Sequence, residues 1–324
     1  MYRIIFLVLI IALFATVIAA EERKEYRELI PKSRVVINYP SEGQYRKGKP
    51  VRLILYALPN GNTIEETEGR GGVLLPEEWR YNIQHIASQV RYLRENDKRF
   101  NYIVAYLEAA QKGWTLHAAE YPDSPELYKK LTDTIINIVR FSLPKIISSE
   151  KISVALTSHS GGGRFVFNLI KQAEKIPGFI DRISFIDSNY GYETELHADK
   201  LVTWLKGDAD RHLGVMAYID TTVVLNGKRI VSSKGGTGYR SGMMANDLRS
   251  RGVDFVVDRD TSFIKLISKD ERVEIRIKEN PEGKIYHTVL VERNGLIHQM
   301  LFGSRLDEKG YKFWGARSYS NLIK

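Results

Sequence analysis

The 324-residue chain is 43% hydrophobic and 27% charged, a globular composition that excludes a disordered, collagen-like or multi-span membrane chain. It has no cysteine, which excludes a disulfide scaffold, a thiolate metal site, an iron–sulfur site, a cysteine nucleophile and a lipid-attachment cysteine. The formal charge of +9 comes from 48 basic against 39 acidic residues, mixed along the chain without long like-charged runs, so it reads as a solvated surface rather than a nucleic-acid footprint.

Residues 1–20 place one cation, Arg3, before an apolar stretch from Ile4 to Leu13, with small residues gathering at Ala15, Ala19 and Ala20. This is the pattern of a secretory signal peptide cleaved after Ala19 or Ala20. The rival is an uncleaved anchor, for which the run, at roughly 17 residues, is only just long enough. Either way the remainder, 21–324, is expected to work as one secreted or periplasmic domain, touching a membrane peripherally only if the leader stays on.

Strand-type and helix-type patterns then alternate. Val35–Tyr39 and Val51–Leu58 read as strands, residues 80–97 as a helix with Ile83, Ile86, Ala87, Val90 and Leu93 on one face, and Tyr102–Leu107 as a buried strand. Residues 125–142 read as a helix stopped by Pro144, Ile152–Leu156 as a strand, Phe165–Ala173 as a helix, and Ile183–Ile186 and Leu213–Ile219 as strands. Short apolar strands separated by helices of this size imply an α/β fold with a mostly parallel sheet flanked by helices. Past residue 253, FVV, SFIKLI, VEIRI and YHTVLV follow one another with turn signals between them, which predicts a β-rich C-terminal portion.

In an open parallel sheet, sites form outside the carboxyl ends of the strands. After the strand ISVAL comes Thr157-Ser158-His159-Ser160-Gly161-Gly162-Gly163, then a helix. A serine in a tight strand-to-helix turn, with small residues two positions away on each side, has the form of a nucleophile elbow. Ser160 is the candidate nucleophile, and the Gly161 N–H the candidate first oxyanion donor. The glycines are followed by no Lys-Ser/Thr and form no G-x-G-x-x-G, which excludes a phosphate-binding P-loop and a dinucleotide fingerprint. The pattern is S-x-S-x-G, with Ser158 where glycine is usual.

On this motif and on the element order of roughly residues 50–300, the chain resembles the α/β-hydrolase superfamily. YALPNGNT, SHSGGG and HTVLVERNGLIH further resemble an exported branch of it, which brings no substrate with it. The resemblance implies a serine nucleophile, a later acid and a histidine near the C-terminus. His298, in the stretch Asn294–Met300 after an apparent last strand, takes the base position; His287, inside the apolar run Ile285–Val291, is the alternative. Asp220, directly after LGVMAYI, takes the acid position, with Asp187, after ISFI, as the alternative. His159 adjoins the nucleophile and is expected to pack or orient the elbow.

The loop after the strand VRLILYAL is Pro59-Asn60-Gly61-Asn62-Thr63, where hydrolases of this fold often carry His-Gly. It offers Gly61 or Asn62 N–H, or an asparagine amide, as second oxyanion donor, and is equally an ordinary Asn-Gly turn. Glu77–Arg80 and Trp114 with His117 are expected to cover the core, and Lys234–Gly242 to form a flexible loop entering a helix. No metal-ligand spacing occurs, and no metal or cofactor is expected.

The reading is an exported serine hydrolase without cofactor, acting on an ester, or less readily an amide, of a small molecule or polysaccharide. Nucleic acid is not an expected partner. Ser158 and Asn60 depart from the usual pattern, and they keep open a non-catalytic binding or envelope protein on the same scaffold.

Overall fold

A computed structural model describes residues 21–324, so the leader reading lies outside the described residues. In chain order the first half gives strands β1 (Glu22–Arg27), β2 (Ser33–Tyr39) and β3 (Val51–Ala57), helices α1 (Ile64–Glu68) and α2 (Ile86–Asn96), strand β4 (Asn101–Ala109), helices α3 (Trp114–Glu120) and α4 (Ser124–Ser142), strand β5 (Ile152–His159) and helix α5 (Gly163–Gln172). The second half gives β6 (Ile180–Ile186), α6 (Asp199–Lys206), β7 (His212–Tyr218), the small hairpin β8 (Val224–Leu225) and β9 (Lys228–Arg229), α7 (Thr237–Ser250), strands β10 (Phe255–Arg259), β11 (Phe263–Ser268) and β12 (Val273–Lys278), and helices α8 (Val289–Glu292) and α9 (Gly295–Leu301).

Ten strands form one sheet in the order β1-β2-β4-β3-β5-β6-β7-β12-β11-β10. The run from β4 to β12 is parallel, and antiparallel strands finish both edges. The central strands β3 and β5 are buried along their whole length, which is why VRLILYA and ISVAL read as continuous apolar runs rather than alternations. Strand pleating sends alternate residues to opposite faces. On β3, Leu53 and Leu55 join a core with α4, α5, α6 and α7, whereas Ile54 and Tyr56 join a second core with α2, α8 and α9. The fold is therefore α/β, a mostly parallel sheet covered on both faces, and the β-rich C-terminal portion is the meander β10–β12 added beside β7.

Two segments differ from the sequence expectation. The helix expected over 80–97 starts only at Ile86; Pro76–Asn82 forms a 3₁₀ turn, and His85 is left-handed (φ 44°). The carbonyls that would continue a helix are diverted, Tyr81 accepting from Arg70 N–H and Asn82 from the Arg317 guanidinium. Likewise YHTVLV is not a strand. After β12 the buried Asn280 side chain caps the turn, donating to the carbonyls of Ile219 and Lys284 and accepting from Lys284 N–H. The chain then runs through a loop to α8, which buries Leu290 and Val291.

Gln89 of α2 secures this C-terminal segment: its amide donates to the carbonyls of Gln84 and Val291 and accepts from the N–H groups of Leu296 and Ile297. All of its hydrogen-bonding capacity is used in a fully buried setting, where an unmade bond would be costly. Among the described residues, no helix is long and apolar enough to cross a membrane.

Candidate active site

Strands β5, β6 and β3 run parallel and in register, with Ala57 beside Ser158 and His159 beside Ile186. Ser160, Asp187 and the Asn60 loop therefore leave the same carboxyl end of the sheet. Ser160 has φ 54° and Asp187 φ 45°. Left-handed backbone costs a residue with a Cβ about 1–2 kcal/mol, and such outliers concentrate at functional sites.

The three glycines after Ser160 each answer a close approach. A Cβ would overlap the Asn60 amide at Gly161, the Ala57 carbonyl at Gly162 and the Ser188 carbonyl at Gly163. The departure at Ser158 is absorbed as well. Its buried hydroxyl lies 2.8 Å from Ser188 Oγ, which in turn donates to the Ser158 carbonyl at 3.1 Å.

Ser160, Gly161, Asn60 and His287 line a common cavity of about 420 Å³. His287 Nδ1 is hydrogen-bonded to Asp187 Oδ2, and Thr237 Oγ1 donates to Asp187 Oδ1. Asp187 is fully buried, and both its oxygens are engaged. With a carboxylate at Nδ1, that nitrogen holds the proton and Nε2 keeps a lone pair to accept one. His159 lies under this imidazole, stacked at 4.7 Å between ring centroids, and its Nε2–H donates to the His287 carbonyl at 3.2 Å. Burial first, and the neighbouring His287 second, hold His159 well below its ordinary pKa, so it stays neutral.

His298, the expected base, is placed elsewhere. It is fully buried on α9, with Nε2 2.6 Å from Glu274 Oε1, Nδ1 3.0 Å from Tyr311 Oη, and its ring stacked on Phe313 at 5.0 Å. It does not line the Ser160 cavity. The expected position rests on YHTVLV as the last strand, which the structure does not form. With β12 last, the loop that follows it carries His287.

Asp220, the expected acid, contacts no histidine side chain: Oδ2 accepts from Thr237 N–H at 3.1 Å, and Oδ1 has no partner among the described residues. Burial, with Asp187 nearby, pushes its pKa up to about 6. Thr237 thus spans the two expected acids, its hydroxyl on Asp187 and its amide on Asp220, but only Asp187 reaches a histidine.

On the oxyanion side, Gly61 N–H is spent on the Lys112 carbonyl at 2.7 Å, so it is not a free donor. Neither Gly61 nor Asn62 lines the cavity; Asn60 does, with its amide against Gly161. Trp114 and His117 are core residues. The indole donates to the Leu107 carbonyl and meets Phe165 edge-on at 4.8 Å, and His117 lies between Tyr128 Oη and the Pro31 carbonyl. The expected flexible loop at Lys234–Gly242 is helix from Thr237 onward, with Thr237 and Ser241 fully buried. Arg240 donates to the Tyr192 carbonyl. Among the described residues, no group of three His, Asp or Glu side chains is spaced to hold a metal.

Neither Thr237 nor Arg164 stands out in the sequence as a site residue, yet the structure places Thr237 on Asp187 and Arg164 in the cavity lining. Arg164 lines the cavity one turn beyond the elbow, and its signal was its place directly after the glycines.

A strand–elbow–helix unit that raises a serine over a mostly parallel sheet is an α/β-hydrolase-type architecture. No protein-family model and no curated protein matches the chain. Among solved structures, an uncharacterised Capnocytophaga ochracea protein is 11% identical over 86% of this chain and 63% of its own, at TM-score 0.45. A thermostable esterase is 13% identical over 87% of this chain and 63% of its own, at TM-score 0.46. An IroE-like serine hydrolase from Shewanella oneidensis is 15% identical over 87% and 80%, at TM-score 0.46. The chain thus spans less than two thirds of the first two.

Proposed function

We propose that the protein is a serine hydrolase in which Ser160 is the nucleophile, His287 the general base and Asp187 the acid that orients it. The observation that carries this reading is the Asp187–His287 pair, its acid buried and its imidazole partly exposed on the cavity that Ser160 lines. In this reading, Ser160 Oγ attacks an acyl carbonyl. His287 Nε2 takes the hydroxyl proton and returns it to the leaving group, and Asp187 holds the tautomer and stabilises the imidazolium. The oxyanion is held by Gly161 N–H and by Asn60, whose amide lies against Gly161. The attack gives an acyl-enzyme and releases the alcohol or amine; water, activated by the same histidine, then frees the acid. Esters are the favoured substrates, and the chain acts outside the cytosol once residues 1–20 have been removed.

The test is labelling of the chain lacking residues 1–20 with a fluorophosphonate, beside Ser160→Ala, His287→Ala and His298→Ala. Labelling lost in the first two and kept in a folded His298→Ala is the expected result. A folded wild type that does not label overturns the reading and favours a binding protein on the same scaffold.

A further inference from the structure

We propose that the substrate of this site carries an anionic group, a carboxylate or a phosphoryl oxyanion, beside its scissile bond, and that Arg164 recognises it. The proposal rests on the reading of Ser160 as nucleophile and names the class of ester it acts on.

Arg164 is the second residue of α5 and stands four positions after Ser160. Its side chain is half-buried and lines the Ser160–His287 cavity, with Cζ 3.9 Å from the point a Cβ on Gly191 would occupy. No Asp or Glu lines that cavity, and Arg164 is its one permanently charged group. Among the described residues, Arg164 forms no ion pair. Of the two buried acids beside the site, Asp187 is engaged by His287 and Thr237, and Asp220 accepts from Thr237 N–H with its Oδ1 unpartnered; neither is hydrogen-bonded to Arg164.

The placement is also adverse for a cation. The first turn of a helix is the positive end of its dipole, and α5 has no acidic residue there to offset it. The neighbouring Arg240, by contrast, spends its guanidinium on the Tyr192 carbonyl. An uncompensated guanidinium in a substrate cavity presents paired N–H donors in the geometry that carboxylate and phosphate oxygens fit. The lining also includes Tyr218, Ile230, Val231 and Ile285, whose apolar surface suits the hydrocarbon part of such an acid.

The experiment compares two 4-nitrophenyl esters that differ at the far carboxyl, free and anionic in hydrogen 4-nitrophenyl glutarate and methylated in methyl 4-nitrophenyl glutarate, on wild type and Arg164→Gln, with release of 4-nitrophenol as the readout. A charge-assisted contact in a half-open site predicts a preference for the acid of about 10- to 100-fold in kcat/KM, weakening as salt rises. Arg164→Gln is expected to bring the ratio to about 1 and Arg164→Lys to restore part of it. A wild-type ratio near 1, or one that Arg164→Gln leaves unchanged, overturns the proposal.

Free glutarate and inorganic phosphate, added as competitors to the wild type, separate the two sources of the anion and need no variant to fold. Competition by either supports the site, and competition by neither overturns it. If neither ester is turned over and Ser160 does not label, the hydrolase reading fails alone. The rise in melting temperature with glutarate or phosphate then decides the anion site: a rise that Arg164→Gln removes sustains it, and no rise overturns it.

Discussion

Among the described residues, His287 and His298 each pair with a carboxylate, and the two pairs differ above all in access. His287 with Asp187 sits at the carboxyl end of the sheet, a quarter of the imidazole side chain exposed and the acid fully buried. His298 with Glu274 is sealed between β12 and α9, where Arg276 also pairs with Glu274. Glu274 shows the consequence of enclosure. Burial opposes its charge, yet the adjoining His298 and Arg276 hold its pKa below the usual carboxylate range. That pair is spent on the fold, because both imidazole nitrogens and both carboxylate oxygens have partners inside the protein. A general base has to keep one nitrogen free for an atom that is not yet there, and of the two pairs only the strand-end one meets the Ser160 cavity.

The largest expected effect separates the two pairs by activity. Ser160→Ala and His287→Ala should each lower kcat/KM on an activated ester by at least about 10³-fold, and Asp187→Asn by a similar factor, with melting temperatures near wild type for Ser160→Ala. If His298→Ala in folded form does as much harm as His287→Ala, the division of roles fails.

Stability should separate the pairs in the opposite direction. His298→Ala leaves Glu274 with Arg276 alone in a buried setting and should cost about 2–4 kcal/mol in denaturant unfolding. Glu274 has a depressed folded pKa, so its contribution is present above the unfolded carboxylate range and is lost as pH falls below it. The His298→Ala penalty should therefore shrink in acid, which unfolding curves at pH 3 and pH 7 would check. A penalty independent of pH would detach Glu274 from it.

Asp220 sharpens the contrast between acids. Its folded pKa of about 6 lies above the unfolded value, so the native state binds more protons and stability falls as pH rises from about 4 through 6. Asp220→Asn removes that charge and should raise stability by about 1–3 kcal/mol at pH 8 relative to wild type, with little gain at pH 4. Equal effects at both pH values would show that the charge is not the cause.

The smallest effect is at the elbow. Ser158→Gly restores the residue usual at that position but gives up the Ser188 contact, and should cost about 0.5–1.5 kcal/mol with labelling of Ser160 retained.

The elements around the site were legible because their signals are local. VRLILYAL, YIVAYL and ISVAL are apolar runs of strand length, the helix over 125–142 carries a 3.6-residue apolar period, and S-x-S-x-G between a strand and a helix points to a tight turn. Which histidine meets the Ser160 cavity was not legible, and the reason is specific. HTVLV is five residues of mostly β-branched and apolar character, a length at which a buried strand and a short buried helix look alike. Reading it as a strand moved the end of the sheet past His287 and gave the base position to His298. The turn that decides the matter is made by Asn280, which bonds both Lys284, four residues on, and the carbonyl of Ile219 just past β7, a partner no local pattern reveals.

What the sequence by itself determined is the layering and the site's address: alternating strands and helices, a two-faced parallel sheet, and a serine lifted at the end of a central strand. These follow from side-chain period and from glycine placement, which act over a few residues. Only the tertiary structure decided which histidine and which acid stand together, that Thr237 joins the two candidate carboxylates, and that Arg164 faces the cavity uncompensated. Those choices depend on which strand ends lie side by side and which loops cross them. They bring together residues 17 to 128 positions apart, and no local pattern encodes a distance of that kind.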